Sequence, residues 1–184
     1  MRIAISGPPG SGKTTVSEMV ADRLGYELVL VGQIFRQMAS ERNVDLETFG
    51  RSAEEDETID RELDDRMVAI ATARDDIVIE GRLTGALLRR NEIEAFTVHI
   101  DASEEVRCLR IAKRECAAGD RVMDEMRTRE RSEKKRYLEY YGIDPSNRII
   151  YDLWIDSSDK TPEEVADAIV TEAKKRCDFE AQEG

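Results

Sequence analysis

The sequence predicts an α/β fold, a five-stranded parallel sheet with helices on both faces. Three observations point to it. Short apolar runs of β type recur at Ile3–Ser6, Tyr26–Val31, Ile77–Ile79, Phe96–Ile100 and Leu153–Ile155. Helical patterns separate each run from the next, as βαβ units require. The first run leads directly into Gly7-Pro8-Pro9-Gly10-Ser11-Gly12-Lys13-Thr14. That is a G-x-x-x-x-G-K-T motif, which belongs between a strand and a helix.

The elements follow in order. A helix-period run from Thr15 to Leu24 comes after the glycine-rich loop. About 45 residues, Gly32 to Asp76, then separate the second and third strands. This exceeds one crossover and reads as helices over Gln33–Arg42, Leu46–Glu54 and Thr58–Arg74, with Asp45 as an N-cap over Thr48. The runs at 77–79 and 96–100 are apolar enough to be buried on both faces. Ser103 caps a long helical stretch to Tyr141, with Val106 on its apolar face, and Gly119-Asp120 breaks that stretch in two. Thr161-Pro162-Glu163-Glu164 starts a last helix, with proline at the first helical position. It is expected to end near Cys177, leaving 178–184 as a frayed tail.

Composition narrows the function. The 184 residues suit one domain with small insertions. The core is expected over about 1–31, 76–106 and 142–177, with insertions at about 32–75 and 107–141. A net charge of −12 argues against a nucleic-acid polymer as partner. No apolar run approaches the roughly 20 residues that span a membrane, and the chain opens on a core strand, so no membrane partner and a cytoplasmic protein are expected. Cys108, Cys116 and Cys177 are odd in number and lack metal spacing, as reduced thiols would. His99 lies within a β run and reads as a strand residue. The charge is uneven: residues 107–136 carry a net +5 and residues 41–66 a net −7. A basic island on an acidic chain implies an anionic ligand.

The motif names that anion. Gly7, Pro8, Pro9, Gly10, Ser11 and Gly12 let backbone amides turn inward on a phosphate. The helix after them points its positive end there. Lys13 supplies a mobile charge for the β- and γ-phosphates, Thr14 a hydroxyl for Mg²⁺, and Thr15 extends the ATP-binding set. Glu80 closes the third strand, where a carboxylate holds Mg²⁺ through water. Arg36 and Arg82 follow the second and third strands, the sheet edge at which such folds bind ligands, and can fork an acceptor phosphate. Arg107, Arg110 and Arg114 share one helix face, and Arg129, Glu133 and Arg136 share another. No carboxylate stands out as a base for an alcohol. An acceptor that is already a phosphate needs none, so arginine-rich and base-poor favours a nucleoside monophosphate.

Taken together, Ile5–Thr15, Gly32-Gln33-Ile34-Phe35-Arg36, Glu54-Glu55-Asp56 with Ile59-Asp60, Glu80-Gly81-Arg82, Arg110–Glu115, Arg129–Tyr137, Tyr141–Asp144 and Pro162–Val165 resemble the short archaeal cytidylate kinases, within the nucleoside monophosphate kinase group. The resemblance implies a P-loop kinase that moves the γ-phosphate of ATP to CMP, and to dCMP, with Mg²⁺. It implies a helical NMP-binding insertion at about 32–75 and a helical lid within about 107–141. Lys13, Arg82, Arg110, Arg129 and Arg136 become the catalytic candidates, and Arg36, Arg82, Arg129, Glu133 and Asp60 the acceptor-binding ones. Gln33, Arg51, Asp56 and Asp60 are open choices for reading cytosine, whose amino donor and ring acceptors want a carboxylate near an arginine or amide. Two departures stand out: Glu133 replaces an aspartate of the larger bacterial enzymes, and Leu83 replaces another. A monomer acting on ATP and CMP or dCMP is expected. The rival expectations are the same fold with AMP, UMP or a small hydroxylated acceptor, and an ATP-hydrolysing switch with no acceptor.

Overall fold

The first strand, β1 (Arg2–Ser6), is the middle of the sheet because Ile3, Ala4 and Ile5 can all be fully buried. The computed structural model describes residues 1–116 and 119–183. Strands β2 (Glu27–Leu30), β3 (Ile77–Glu80), β4 (Phe96–Asp101) and β5 (Leu153–Asp156) complete one parallel sheet in the order β2-β3-β1-β4-β5. Ile5 lies beside Glu80 on one side and Val98 on the other. The chain leaves β1 for the edge strand β2, returns to β3 beside β1, and then crosses to β4 and β5 on the other side. The crevice at the carboxyl end of β1 is therefore the switch point where ligands bind.

Two cores flank the sheet. On one face Ile3 and Ile5 pack with Val16 and Val20 of α1 (Lys13–Leu24) and Val165 and Ile169 of α8 (Pro162–Glu183). On the other, Ala4, Ile77 and Ile79 pack with Met67 and Ala71 of α4 (Glu57–Ala73) and Leu87 and Leu88 of α5 (Thr84–Arg90). Small residues set the spacing there: a Cβ on Gly85 would stand 3.3 Å from the Ser6 hydroxyl, which accepts the Gly85 amide at 3.0 Å.

Helices α2 (Val31–Glu41), α3 (Leu46–Glu55) and α4 form the first insertion, sealed by Met38, Phe49, Ala53 and Ile59. Helices α6 (Glu104–Glu115) and α7 (Gly119–Tyr141) form the second, joined through Cys108, Ile111, Val122 and Met126. The caps are those the sequence predicts. Asp45 accepts the Thr48 amide at 2.9 Å and Ser103 that of Val106 at 3.3 Å, while Thr161 and Glu164 accept each other's amides.

Three expectations need correction. Strand β2 stops at Leu30 and Val31 begins α2, because Val31 packs into the core as a helical residue. Gly119 and Asp120 open α7 instead of breaking the stretch; the interruption lies at Cys116, which caps α6 at φ 52°. Residues 117 and 118 are outside the described residues. Helix α8 runs on to Glu183 and not to Cys177, since Glu, Ala and Gln are good helix formers and no breaker precedes Gly184. Gly184 is also outside the described residues. No described helix is long and apolar enough to cross a membrane.

Candidate active site

The carbonyls of the loop between β1 and α1 are held by the side chains around it. Lys13 Nζ donates to the Pro8 carbonyl at 3.2 Å. Arg107 donates to that of Pro9 at 3.3 Å. Arg110 Nη1 donates to those of Gly10 and Ser11 at 3.4 and 3.3 Å, and the Ser157 hydroxyl also reaches Ser11 at 3.0 Å. Glycine is required where helix α6 presses on the loop: a Cβ on Gly10 would come within 2.6 Å of the Arg107 carbonyl oxygen.

A cavity of about 470 Å³ opens over this loop. Lys13, Arg82, Arg110, Arg114, Arg129 and Lys160 line it, and no carboxylate does. On a chain of net charge −12 this concentration of cations suits a polyanion. Burial, and then the Arg82 guanidinium, push the Lys13 ammonium down to about 8. Glu80 opposes them: it is buried, lies 3.7 Å from Lys13 and accepts the Thr14 hydroxyl at 3.3 Å. A hydroxyl and a carboxylate side by side make a hard, all-oxygen pair that fits Mg²⁺, which takes few protein ligands and completes its shell with water and phosphate. The described residues contain no cluster of three or more His, Cys, Asp or Glu that could hold a metal by themselves.

Arg82, Arg129 and Glu133, three of the acceptor-binding candidates, lie together. Glu133 pairs with Arg82 at 3.1 Å and Arg129 at 3.0 Å. Arg136, one turn along α7, is directed to the first insertion instead of the loop: it pairs with Asp60 and donates to the Ala53 carbonyl at 3.2 Å. Burial pushes the Asp60 carboxyl up despite that partner. Arg36 is exposed on α2, and no partner for it exists among the described residues. Asp56 is spent as the N-cap of α4, accepting the Thr58 amide. Gln33 and Arg51 are exposed.

A second cavity, of about 430 Å³, lies behind Gly7, Pro8 and Pro9 and shares Arg82 with the first. His99 lines it but is buried and stacked on Trp154 at 3.8 Å. Burial and then Lys13 push its imidazole down to about 4, so it stays neutral, as a strand residue should. Sequence reasoning missed Ser157 and Lys160, although the carboxyl end of β5 is where the strand-end rule points. It gave Arg107 only as one of a basic helix face.

The family model described as "Cytidylate kinase-like family" matches residues 2–159. A protein named cytidylate kinase from Halorubrum lacusprofundi is 47% identical over 170 residues, 92% of this chain and 88% of that one. Cytidylate kinases from Archaeoglobus fulgidus and Halobacterium salinarum are each 43% identical, over 95% and 100% of this chain and 97% and 94% of theirs. Among solved structures, an uncharacterized protein from Eubacterium ventriosum aligns with a TM-score of 0.71 at 17% identity, covering 93% of this chain and 96% of that one. The shikimate kinase of Acinetobacter baumannii aligns at 0.64 and 17%, covering 95% and 93%. These two likenesses concern the fold alone.

Proposed function

Because this chain belongs to the cytidylate kinase-like family, we propose that it transfers the γ-phosphoryl group of ATP to CMP, and to dCMP, giving the cytidine diphosphate and ADP. The observation that carries the reading is the cavity lined by six cations and no carboxylate over the phosphate loop, joined at Arg82 to the Arg129–Glu133 cluster.

The chemistry needs placement and charge compensation more than covalent help. An acceptor phosphate oxygen attacks the γ-phosphorus while the bond from that phosphorus to the β–γ bridging oxygen breaks. The acceptor is already anionic, so no base removes a proton. Lys13 neutralises the transferring group. Arg82 and Arg129 offset the repulsion between two anions once Glu133 releases or shares them. The closing insertion, about 32–75, brings Arg36 to the acceptor phosphate, and the lid, about 107–141, closes with Arg110 and Arg129. Arg136 and Asp60, already paired between the two, meet the acceptor with Glu133. Thr14 and Glu80, whose oxygens already meet, would hold Mg²⁺. Bound there, magnesium supplies neutralisation of the phosphate oxygens. The working unit is a cytosolic monomer with small nucleotides as its partners.

An ADP-release assay over CMP, dCMP, UMP and AMP tests this. CMP is expected to give the highest kcat/KM. Greater turnover with AMP or UMP would reassign the acceptor, and equal turnover with none would make the protein an ATP-hydrolysing switch.

A further inference from the structure

The geometry points to Arg107 as a positioning residue that couples the lid helix α7 to the phosphate loop, through Glu130 on one side and the Pro9 carbonyl on the other. This rests on the reading that the loop holds ATP.

Arg107 is 7% exposed and is fully engaged. Its Nε donates to the Ala102 carbonyl at 3.1 Å, at the end of β4. Its Nη1 donates to the Pro9 carbonyl at 3.3 Å and pairs with Glu130 of α7. The same guanidinium thus touches the sheet, the loop and the lid. A buried arginine without its carboxylate is costly, so Glu130 must stay near for Arg107 to stay in place. Glu130 sits one turn before Glu133, the carboxylate that pairs with Arg82 and Arg129. Any movement of α7 that rearranges Glu133 therefore also pulls on Glu130.

The consequence is directional. The Pro9 carbonyl has no hydrogen to offer a phosphate and would repel one. With Arg107 behind it, its dipole points away and the amide of the following glycine, Gly10, can face the ligand, while that of Ser11 donates to the Pro8 carbonyl at 3.4 Å. Without that bond the loop gains a competing conformation, and ATP must select the correct one. CMP does not use the loop amides, so its binding should respond little.

The test uses the full chain and calorimetric titration with a non-hydrolysable ATP analogue plus Mg²⁺, and separately with CMP. Arg107→Lys keeps the charge but cannot reach three partners. Glu130→Gln keeps Arg107 and removes the charge on α7. Each should weaken the analogue by roughly tenfold, the usual consequence of losing a charge-assisted bond. CMP affinity should shift by less than about twofold, and the double variant should lose no more than the worse single one, as members of one network do. Leu109→Ala, on the exposed side of the same helix, should leave both affinities unchanged. Equal losses for the analogue and CMP, additive losses, or unchanged analogue binding in Glu130→Gln would overturn the coupling. Glu130→Gln alone decides if Arg107→Lys does not fold. Failure of the unaltered protein to bind the analogue would instead refute the ATP reading.

Discussion

Lys13 is held in an unfavourable state until a phosphate arrives. Burial and Arg82 bring its ammonium down to about 8, below the ordinary lysine range. The unfolded chain therefore binds that proton more tightly than the native one between about pH 8 and pH 10.4. The cost of the charged form is complete below about 8 and is relieved as pH rises through that window. A bound triphosphate works in the opposite sense, since it needs the ammonium. ATP affinity should thus weaken above about pH 8, by up to about tenfold per pH unit, in calorimetric titrations from neutral to alkaline pH. Lys13→Arg should flatten that profile, and a wild-type profile already flat through this range would contradict the argument. Lys13→Ala should cost about a hundredfold or more in turnover with the fold intact, as loss of transition-state charge compensation does. Arg82→Ala should act on the other substrate. It removes the guanidinium that joins the two cavities, and the KM for CMP should rise about tenfold with a smaller change for ATP; equal changes would deny it that role. Lys13, Thr14 and Glu80 were legible in the sequence because the chain itself fixes them beside the loop or at a strand end. Arg36 was legible as a position only, since an exposed side chain on α2 takes its direction from a ligand or from closure. Arg107 was not legible as a positioning residue, because its partners Pro9 and Glu130 lie 98 and 23 positions away.

Between elements, the contact that most needs explaining is α4 against α7. Tyr141 at the end of α7 donates its hydroxyl to Asp64 of α4. Burial is the main reason that the Asp64 carboxyl is pushed up to about 7, and Asp60 adds to it. A carboxyl raised in the native state favours folding fully below the free-carboxylate range near pH 4. That contribution is lost as pH climbs through about 7. Relative to Asp64→Asn, the wild type should therefore lose stability between about pH 4 and pH 7, measured as the difference in denaturant midpoints. Tyr141→Phe removes the bond that opposes the shift and should move the window to higher pH. Parallel profiles for wild type and Asp64→Asn would refute the assignment. The elements were read well wherever a cap or a two-residue period marks them, as at Asp45, Ser103 and Thr161. The boundaries that moved had weaker local signals. Val31 favours a strand by propensity, and only its packing on the core of the other face decides otherwise. Gly119 follows a left-handed Cys116 that no propensity foretells. The α4–α7 contact was invisible for a similar reason: Asp64 and Tyr141 look like an exposed acid and an ordinary aromatic until the topology brings them together.

At the scale of the whole molecule, two oppositely charged helical insertions flank one phosphate loop. Residues 41–66 hold a net −7 and residues 107–136 a net +5, and the structure joins them through Arg136–Asp60 and Ser132–Glu54. Attraction between insertions of opposite sign favours holding them together, and under the proposed function two anionic ligands would add their own bridges. How much of that attraction is long-range can be decided by screening. At about 0.1 M salt the Debye length is about 10 Å, so the insertions still feel one another; at about 1 M it is about 3 Å, and only direct contacts survive. The Arg136–Asp60 pair is a direct contact, with side chains 15% and 14% exposed, and resists screening. Removing it takes away the direct ion pair, leaving the long-range part and the neutral contacts of Ser132 and Tyr141. Arg136→Ala should therefore stay compact at low salt, near the radius of gyration of about 16 Å that a folded chain of this length has, and should expand measurably in small-angle scattering at about 1 M salt. Wild type should expand less, because its part-buried pair persists. If the variant keeps one radius at both salts, the opposite charges of the two insertions do not hold them together, and packing along α7 alone must do so.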